Sequence, residues 1–322
     1  IMNFSLASEM RDGFLVTEKR KKLWAIQLEL LQQLLALCAK HNLRIWIDSG
    51  TLLGAVRHQG YIPWDDDIDM VMPREDYDRL LEIAPRELQS PYFLQSAYTD
   101  KHYFRGHAQF RHSESTAILL YDINYEFNQG IFIDIFPLDK LPSKIKDFTQ
   151  LIQQSEKYRK RMRYYKHIPY VFNPIKRCVY QLRSVVSSCF IRKHQGFLAC
   201  YRDFEELFRT PQPNAFAYAC LSSFTSETFP IDLFKETVYL NFEGLKVPAP
   251  AGYDAYLRIL YGDTYMTPRQ APSFHGGMYV DVERSYREVL PRVRRVQSFP
   301  QRMFRMLTGK KEPRWFQELR EL

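Results

Sequence analysis

Residues 45–72 read Ile-Trp-Ile-Asp-Ser-Gly-Thr-Leu-Leu-Gly-Ala-Val-Arg-His-Gln-Gly-Tyr-Ile-Pro-Trp-Asp-Asp-Asp-Ile-Asp-Met-Val-Met. An apolar run, Leu43–Ile47, leads into the small residues Ser49-Gly50-Thr51, and four carboxylates, Asp65, Asp66, Asp67 and Asp69, then run straight into the apolar residues 70–72. The pattern predicts strand, turn, short helix and second strand. On an extended strand residues two apart share a face, which puts Asp67 and Asp69 side by side with Cα atoms about 6.5–7 Å apart. Carboxylates that close repel unless a cation lies between them or one stays protonated. Hard oxygen ligands of this kind suit Mg²⁺ or Mn²⁺, which leave positions open for substrate phosphates. A glycine at the preceding turn lets backbone N–H groups approach a phosphate closely. The glycine and the distal Glu of an EF-hand calcium loop are missing.

Working outward, Thr17–Asn42 carries Leu23, Ile26, Leu30, Leu34 and Leu37 at helical spacing, with Thr17 as its N-cap. Pro73 opens a helix to about Ala84. Short β-like runs follow at 92–96, 108–111, 116–119 and 130–136. Residues 143–167 and 174–209 read as largely helical. Residues 237–248 read as a hairpin turning near Glu243-Gly244, and 253–261 as a helix ended by Gly262. Asp134 is one acid inside the apolar run 131–136, where an unpaired carboxylate costs several kcal/mol, so it is expected either to bind a metal or to be satisfied by backbone N–H groups at a strand end. Asp139, after Pro137, is expected in a turn.

Net charge is +8, with 45% hydrophobic and 15% aromatic residues, ample for a core in one large or two modest domains. No stretch of 18 apolar residues predicts a membrane span, and no signal-peptide h-region is evident. Cys38, Cys178, Cys189, Cys200 and Cys220 are odd in number and scattered, which suits free thiols in a reducing cytosol. The charge is uneven. Residues 143–200 hold thirteen Lys/Arg against two acids, and 284–322 hold eleven against four, so the remainder is acidic. Such asymmetry points to a polyanion or an anionic membrane surface. In the tail, Phe299, Met303, Met306 and Leu307 fall on one helical face flanked by Arg302 and Arg305, a pattern suited to a membrane interface or to packing on the body.

The run Gly50-Thr51-Leu52-Leu53-Gly54-Ala55-Val56-Arg57-His58, then Gly60 and Ile62-Pro63-Trp64-Asp65-Asp66-Asp67-Ile68-Asp69, resembles the signature of the LicD family. Weaker likeness continues through residues 130–139 and 260–263. The resemblance implies a nucleotidyltransferase fold, here an α/β (α+β) mixed sheet flanked by helices. Its core would run from 17 to 142 and resume at 235–283, with a basic helical insertion at 143–234 and a basic amphipathic tail at 284–322. It also implies a third carboxylate beside the Asp-x-Asp, giving Asp67, Asp69 and Asp134 as catalytic and Mg²⁺ (or Mn²⁺) ligands. Bacterial members move phosphocholine from CDP-choline to cell-surface glycans, and fukutin-type members move ribitol phosphate. The implied reaction is attack by a hydroxyl of a glycan or lipid-linked glycan on a CDP-alcohol, phosphocholine first among the groups transferred, with CMP leaving and Asp134 taking the hydroxyl proton.

Substrate contacts are expected from Ser49, Gly50, Thr51, Arg57, His58, Asp65 and Arg111. Arg57 could clamp a diphosphate, and His58 could serve as a base. Arg105, His107 and Arg111 share one face if 105–116 is strand-turn-strand, with Arg111 the first choice for phosphate. His275 lies in a loop that could reach the site, but His107, His112 and His275 lack zinc-ligand spacing. Competing readings are a nucleotidyltransferase acting on RNA or a small molecule, an Asp-x-Asp glycosyltransferase, and a nonenzymatic binding module. No nucleic-acid recognition motif accompanies the basic segments, so nucleic acid is not an expected partner.

Overall fold

The computed structural model describes residues 4–163, 165, 193–210, 214–220, 227–270 and 277–320. The chain opens with a hairpin, β1 (Glu9–Arg11) and β2 (Phe14–Val16), closed by Asp12 and Gly13 at φ +48° and +76°. Asp-Gly suits such a turn because both central residues need positive φ. Helix α1 (Glu18–Lys40) starts where expected. The Thr17 hydroxyl accepts from the Arg20 N–H at 3.2 Å, and Leu23, Leu30, Leu34 and Leu37 are buried.

Strand β3 is short (Trp46–Ile47), helix α2 spans Ser49–His58, and β4 (Asp69–Pro73) leads into α3 (Arg74–Glu87). β5 (Tyr92–Gln95), β6 (Ala108–His112), β7 (Thr116–Leu119) and the long β8 (Ile131–Leu141) follow. Then come α4 (Ile145–Arg163), α5 (Lys193–Arg209), β9 (Ala217–Ala219) and β10 (Phe229–Pro230). The hairpin β11 (Thr237–Phe242) and β12 (Leu245–Pro250) and helix α6 (Tyr253–Tyr261) stand where the sequence put them. β13 (Met278–Asp281), α7 (Tyr286–Gln297), α8 (Phe299–Thr308) and α9 (Arg314–Glu318) complete the chain.

The fold is α/β, with a mixed central sheet ordered β10-β9-β8-β4-β3 and extended by β6 and β5 from β8. β4 and β8 are parallel and place Asp69 opposite Asp134. On the edge away from β4, β8 pairs antiparallel with β6 through residues 131–135, and beyond the β4 pairing it pairs antiparallel with β9 through 139–141. Pro137 is in register with Met72 of β4. Because the Asp134 N–H faces β4, donating to the Ile68 carbonyl, the proline nitrogen three residues on faces the β6 side past the end of the β6 pairing, where a missing N–H breaks no ladder. That placement corrects the expectation for Asp139. The strand continues through the proline, and Asp139 is a fully buried strand residue, 2.7 Å from Arg74 Nε. Arg74 also meets Glu205 of α5 at 2.8 Å, and Arg209 joins Glu205 to Asp78. These ion pairs tie α5 to the sheet. Apolar residues of α4 and α5, among them Leu151, Phe197 and Phe204, bury against one another and against Leu141.

The tail does not form one continuous amphipathic helix. α7 buries Val289, Leu290, Val293 and Val296 against Ile118 and Tyr279, and α9 inserts Phe316 into the same cluster. Among the described residues no helix is long and apolar enough to cross a membrane.

Candidate active site

The site forms where β3, α2, β4 and β8 meet. The Asp48 N–H donates to the Asp69 carbonyl at 2.9 Å, joining β3 to the start of β4, and α2 begins at the next residue. The expected Ser49-Gly50-Thr51 turn is therefore the first turn of a helix. Ser49 itself has φ +44°, a left-handed conformation that costs a non-glycine residue of order 1–3 kcal/mol. Gly50 has a steric reason. A Cβ there would lie 2.6 Å from Asp65 Oδ2, so the glycine lets the Asp65 carboxylate lie against the start of α2, where helix N–H groups favour negative charge.

Thr51, expected to meet substrate, is buried instead. Its hydroxyl accepts from the Asp69 N–H at 2.9 Å and so fixes the entry of β4. The acidic loop before β4 is held from α1. The Asp65 carbonyl accepts from Arg20 Nη1 at 2.7 Å and from Trp24 Nε1 at 3.1 Å, and the Asp66 carbonyl accepts from Gln27 Nε2 at 2.8 Å. Tyr61 stacks on Trp24 at 4.3 Å and donates to Gln27 Oε1. Three side chains about forty residues upstream thus determine where the carboxylates point.

The carboxylates converge. Donor oxygens of Asp65, Asp66 and Asp67 all lie within 4.8 Å of one another. Burial first, and then Asp65, Asp66 and Asp134, push the Asp67 carboxyl well above its ordinary range. Burial, then Asp67, Asp134 and Asp48, do the same to Asp69. The oxygens close enough to share an ion are those of Asp65, Asp66 and Asp67, whereas Asp69 and Asp134 of the expected set act on one another and on Asp67 as like-charged neighbours. Asp48 lies behind it, raised by burial and accepting from the Tyr256 hydroxyl. Hard oxygens whose mutual repulsion favours protonation are a fitting donor set for a divalent cation, which would let them all ionise.

Asp134 is positioned by a polar rung across the sheet. Gln95, Gln109, Asp134 and Asp69 are successive register partners on β5, β6, β8 and β4. Gln109 Nε2 donates to Asp134 Oδ1 at 2.7 Å, and His107 Nε2 lies 3.1 Å from the same oxygen. Arg111, two residues along β6, corrects an expectation. It is 1% exposed and donates to Gln95 Oε1 at 2.5 Å, to the Gly130 carbonyl at 2.6 Å and to Gln109 Oε1. Burial and Arg105 pull its pKa down to about 10, so it stays charged at neutral pH. Arg111 therefore sits behind the site and orients Gln109 rather than facing a phosphate.

A cleft of about 730 Å³ opens over these groups. Its floor includes Ser49, Gly50, Asp65, Asp67 and Asp69, and its walls carry Arg57, Trp64, Tyr261, Tyr265, Arg269 and Glu227. Arg57 donates to the Tyr265 carbonyl at 2.8 Å, which ties the end of α2 to the loop after α6. His58 is not among the cleft residues. Its Nε2 lies 3.1 Å from Asp12 on the opening hairpin, and burial and Arg57 lower its pKa, so it is neutral at pH 7. Residue 275 lies outside the described residues. Tyr265, Arg269 and Glu227 had not been picked out from sequence, and the signal available was the likeness at 260–263, which leads directly into that wall.

Residues 42–182 match the family profile described as LicD/FKTN/FKRP, nucleotidyltransferase domain. The chain is also 24% identical over 254 residues to the lipopolysaccharide cholinephosphotransferase LicD of Haemophilus influenzae, covering 75% of this chain and 89% of that protein. Residues 42–182, which carry the carboxylates, are thus similar to the LicD family. An uncharacterized protein of Rickettsia prowazekii is 38% identical over 114 residues (35% of this chain, 39% of that one), and one of Rickettsia typhi is 45% identical over 74 residues (23% and 22%). The LicD match contains the carboxylates, α2 and the β6–β8 rung. The wall formed by Tyr261, Tyr265 and Arg269 lies beyond it.

Proposed function

We propose that this chain is a LicD-like phosphotransferase that moves a phospho-alcohol, phosphocholine first among the candidates, from a CDP-alcohol to a hydroxyl of a cell-surface glycan, releasing CMP. One observation carries the reading. Asp65, Asp67 and Asp69 line an open cleft beside the first turn of a helix, with Asp134 opposite Asp69 on the adjacent parallel strand. The similarity to the lipopolysaccharide cholinephosphotransferase of Haemophilus supports the transferred group and the acceptor class.

Asp67, Asp69 and Asp134, with Asp65 adjacent, would hold Mg²⁺ or Mn²⁺. Such an ion, when bound, supplies charge stabilisation to phosphoryl oxygens. Ser49 and Gly50 at the start of α2 line the cleft beside the Asp65 carboxylate. Arg57 and Arg269 add positive charge at the cleft wall. Trp64, Tyr261 and Tyr265 supply the aromatic faces that a quaternary ammonium favours, with Glu227 as a counter-charge. The acceptor oxygen forms a new bond to the phosphorus bearing the alcohol, the bond to the CMP oxygen breaks, and Asp134, oriented by Gln109, takes the hydroxyl proton.

The test is nucleotide release from CDP-choline, CDP-ribitol, CDP-glycerol, ATP and UDP-sugars, with Mg²⁺ or Mn²⁺. CMP release from a CDP-alcohol that depends on a glycan acceptor is the expected result. Pyrophosphate release from ATP would replace the reading with nucleotidyl transfer, and turnover of a UDP-sugar would replace it with glycosyl transfer.

A further inference from the structure

α7 and α9 are packed on the body, but α8 between them is apolar on its outer side. Arg305 holds its inner side, donating from Nη2 to the Val296 carbonyl at 2.9 Å. Phe304, Met306 and Leu307 are 47%, 70% and 76% exposed, and Met303 is half-buried. At about 100° per residue these four cover an arc of roughly 160° on the helix. Three large apolar side chains exposed within four positions form a patch, which marks a contact surface more often than a scattered exposed residue does.

Cations surround the patch. Gly309 ends α8 at φ +67°, and Lys310 and Lys311 follow at once. Lys310 Nζ lies 5.3 Å from the Phe304 ring centre. Arg305, Lys310, Lys311 and Arg320 line a shallow depression of about 580 Å³ in which Glu312 is the one carboxylate. Arg314, just beyond, is 93% exposed at its side chain.

We propose that α8 is an interfacial helix that docks the protein on an anionic phospholipid bilayer. Phe304, Met306 and Leu307 enter the boundary between headgroups and acyl chains, and Lys310, Lys311 and the basic depression meet headgroup phosphates. Charge decides the occupant. A second copy meeting this face across a two-fold axis would bring the same cations together, whereas an anionic bilayer neutralises them. The proposal is independent of the chemistry assigned to the cleft.

The test is sedimentation of the full chain with vesicles of phosphatidylcholine, with and without phosphatidylglycerol. Binding to the anionic vesicles is expected to fall steeply between about 0.1 M and 1 M salt as the Debye length shortens. Met306→Glu/Leu307→Glu is expected to lower partitioning about tenfold or more, and Lys310→Glu/Lys311→Glu to lower it by a similar factor and flatten the salt response. All four residues are exposed, so melting temperatures should stay at the wild-type value and report that each variant is folded. Failure of the wild-type chain to bind anionic vesicles would overturn the proposal, as would wild-type binding by the Met306/Leu307 variant. Equal, salt-insensitive binding to pure phosphatidylcholine would overturn the assignment to anionic lipid. A concentration-dependent dimer that the same variant abolishes, without vesicle binding, would reassign the face to self-association.

Discussion

Two groups of acids lie at opposite ends of the paired strands β4 and β8, and they are neutralised differently. Asp139 and Glu205 face Arg74, and Asp78 faces Arg209, so each acid has a guanidinium at hydrogen-bonding distance. At the other end of the same strands, the groups acting most strongly on Asp67 and Asp69 are all carboxylates. A compensated cluster holds elements together. A cluster dominated by like charge is poised to receive a cation. On β8 alone, Asp139 thus serves structure and Asp134, five residues earlier, on our reading serves chemistry.

Breaking each cluster should have opposite consequences. Asp69→Asn is expected to lower transfer by about a thousandfold or more, the scale of losing a principal charge-stabilising group in phosphoryl transfer, while the fold is retained. CMP release and circular dichroism would check both halves. Turnover that persisted in excess EDTA would remove the metal from the account. Arg74→Met should instead lower stability by about 3–5 kcal/mol, because it strands Asp139 and Glu205 in a buried site. The urea midpoint measures this, and a midpoint unchanged from wild type would show that the two clusters are not different in kind.

A smaller effect is expected where the sheet supports the site. Gln109→Leu removes the donor to Asp134, and should lower Mn²⁺ affinity or turnover about 10–100-fold, as loss of a group behind a metal ligand does. Paramagnetic titration with Mn²⁺ would separate this from general loosening, which would not change affinity selectively.

The smallest effect is on stability against pH. Asp67 and Asp69 are raised above their unfolded values, so from about pH 4 upward the folded chain retains protons that the unfolded chain has released. Their contribution to stability is therefore lost as pH rises through the folded pKa values. Without divalent cation, Asp69→Asn should melt higher than wild type by about 2 °C or more near neutrality, and the gap should close in acid. Added Mg²⁺ should reverse the order. A gap independent of pH would contradict the crowding.

Local residue chemistry carried much of the architecture. Thr17 and the leucine spacing gave α1, Gly262 ended α6, and Glu243-Gly244 turned the β11–β12 hairpin, because capping, turn conformation and periodicity act over a few residues. Asp67 and Asp69 were legible for the same reason, since two positions along an extended segment fix a shared direction. Even so, β4 begins at Asp69, and Asp67 belongs to the loop before it.

What the sequence alone determined, then, was the succession of elements and the identity of the acidic motif. Tertiary structure decided which polar residues face the cleft. Arg111 and Asp139 read as a phosphate ligand and a turn residue because their partners, Gln95 and Gln109 for one and Arg74 for the other, are brought to them by strand register and by a salt bridge spanning 65 residues. Arg20, Trp24 and Gln27 looked like ordinary helix residues, yet they hold the acidic loop by its carbonyls. Side-chain type specifies what a residue can do. Only the sheet's register and the packing of α1 across it specify what each one meets.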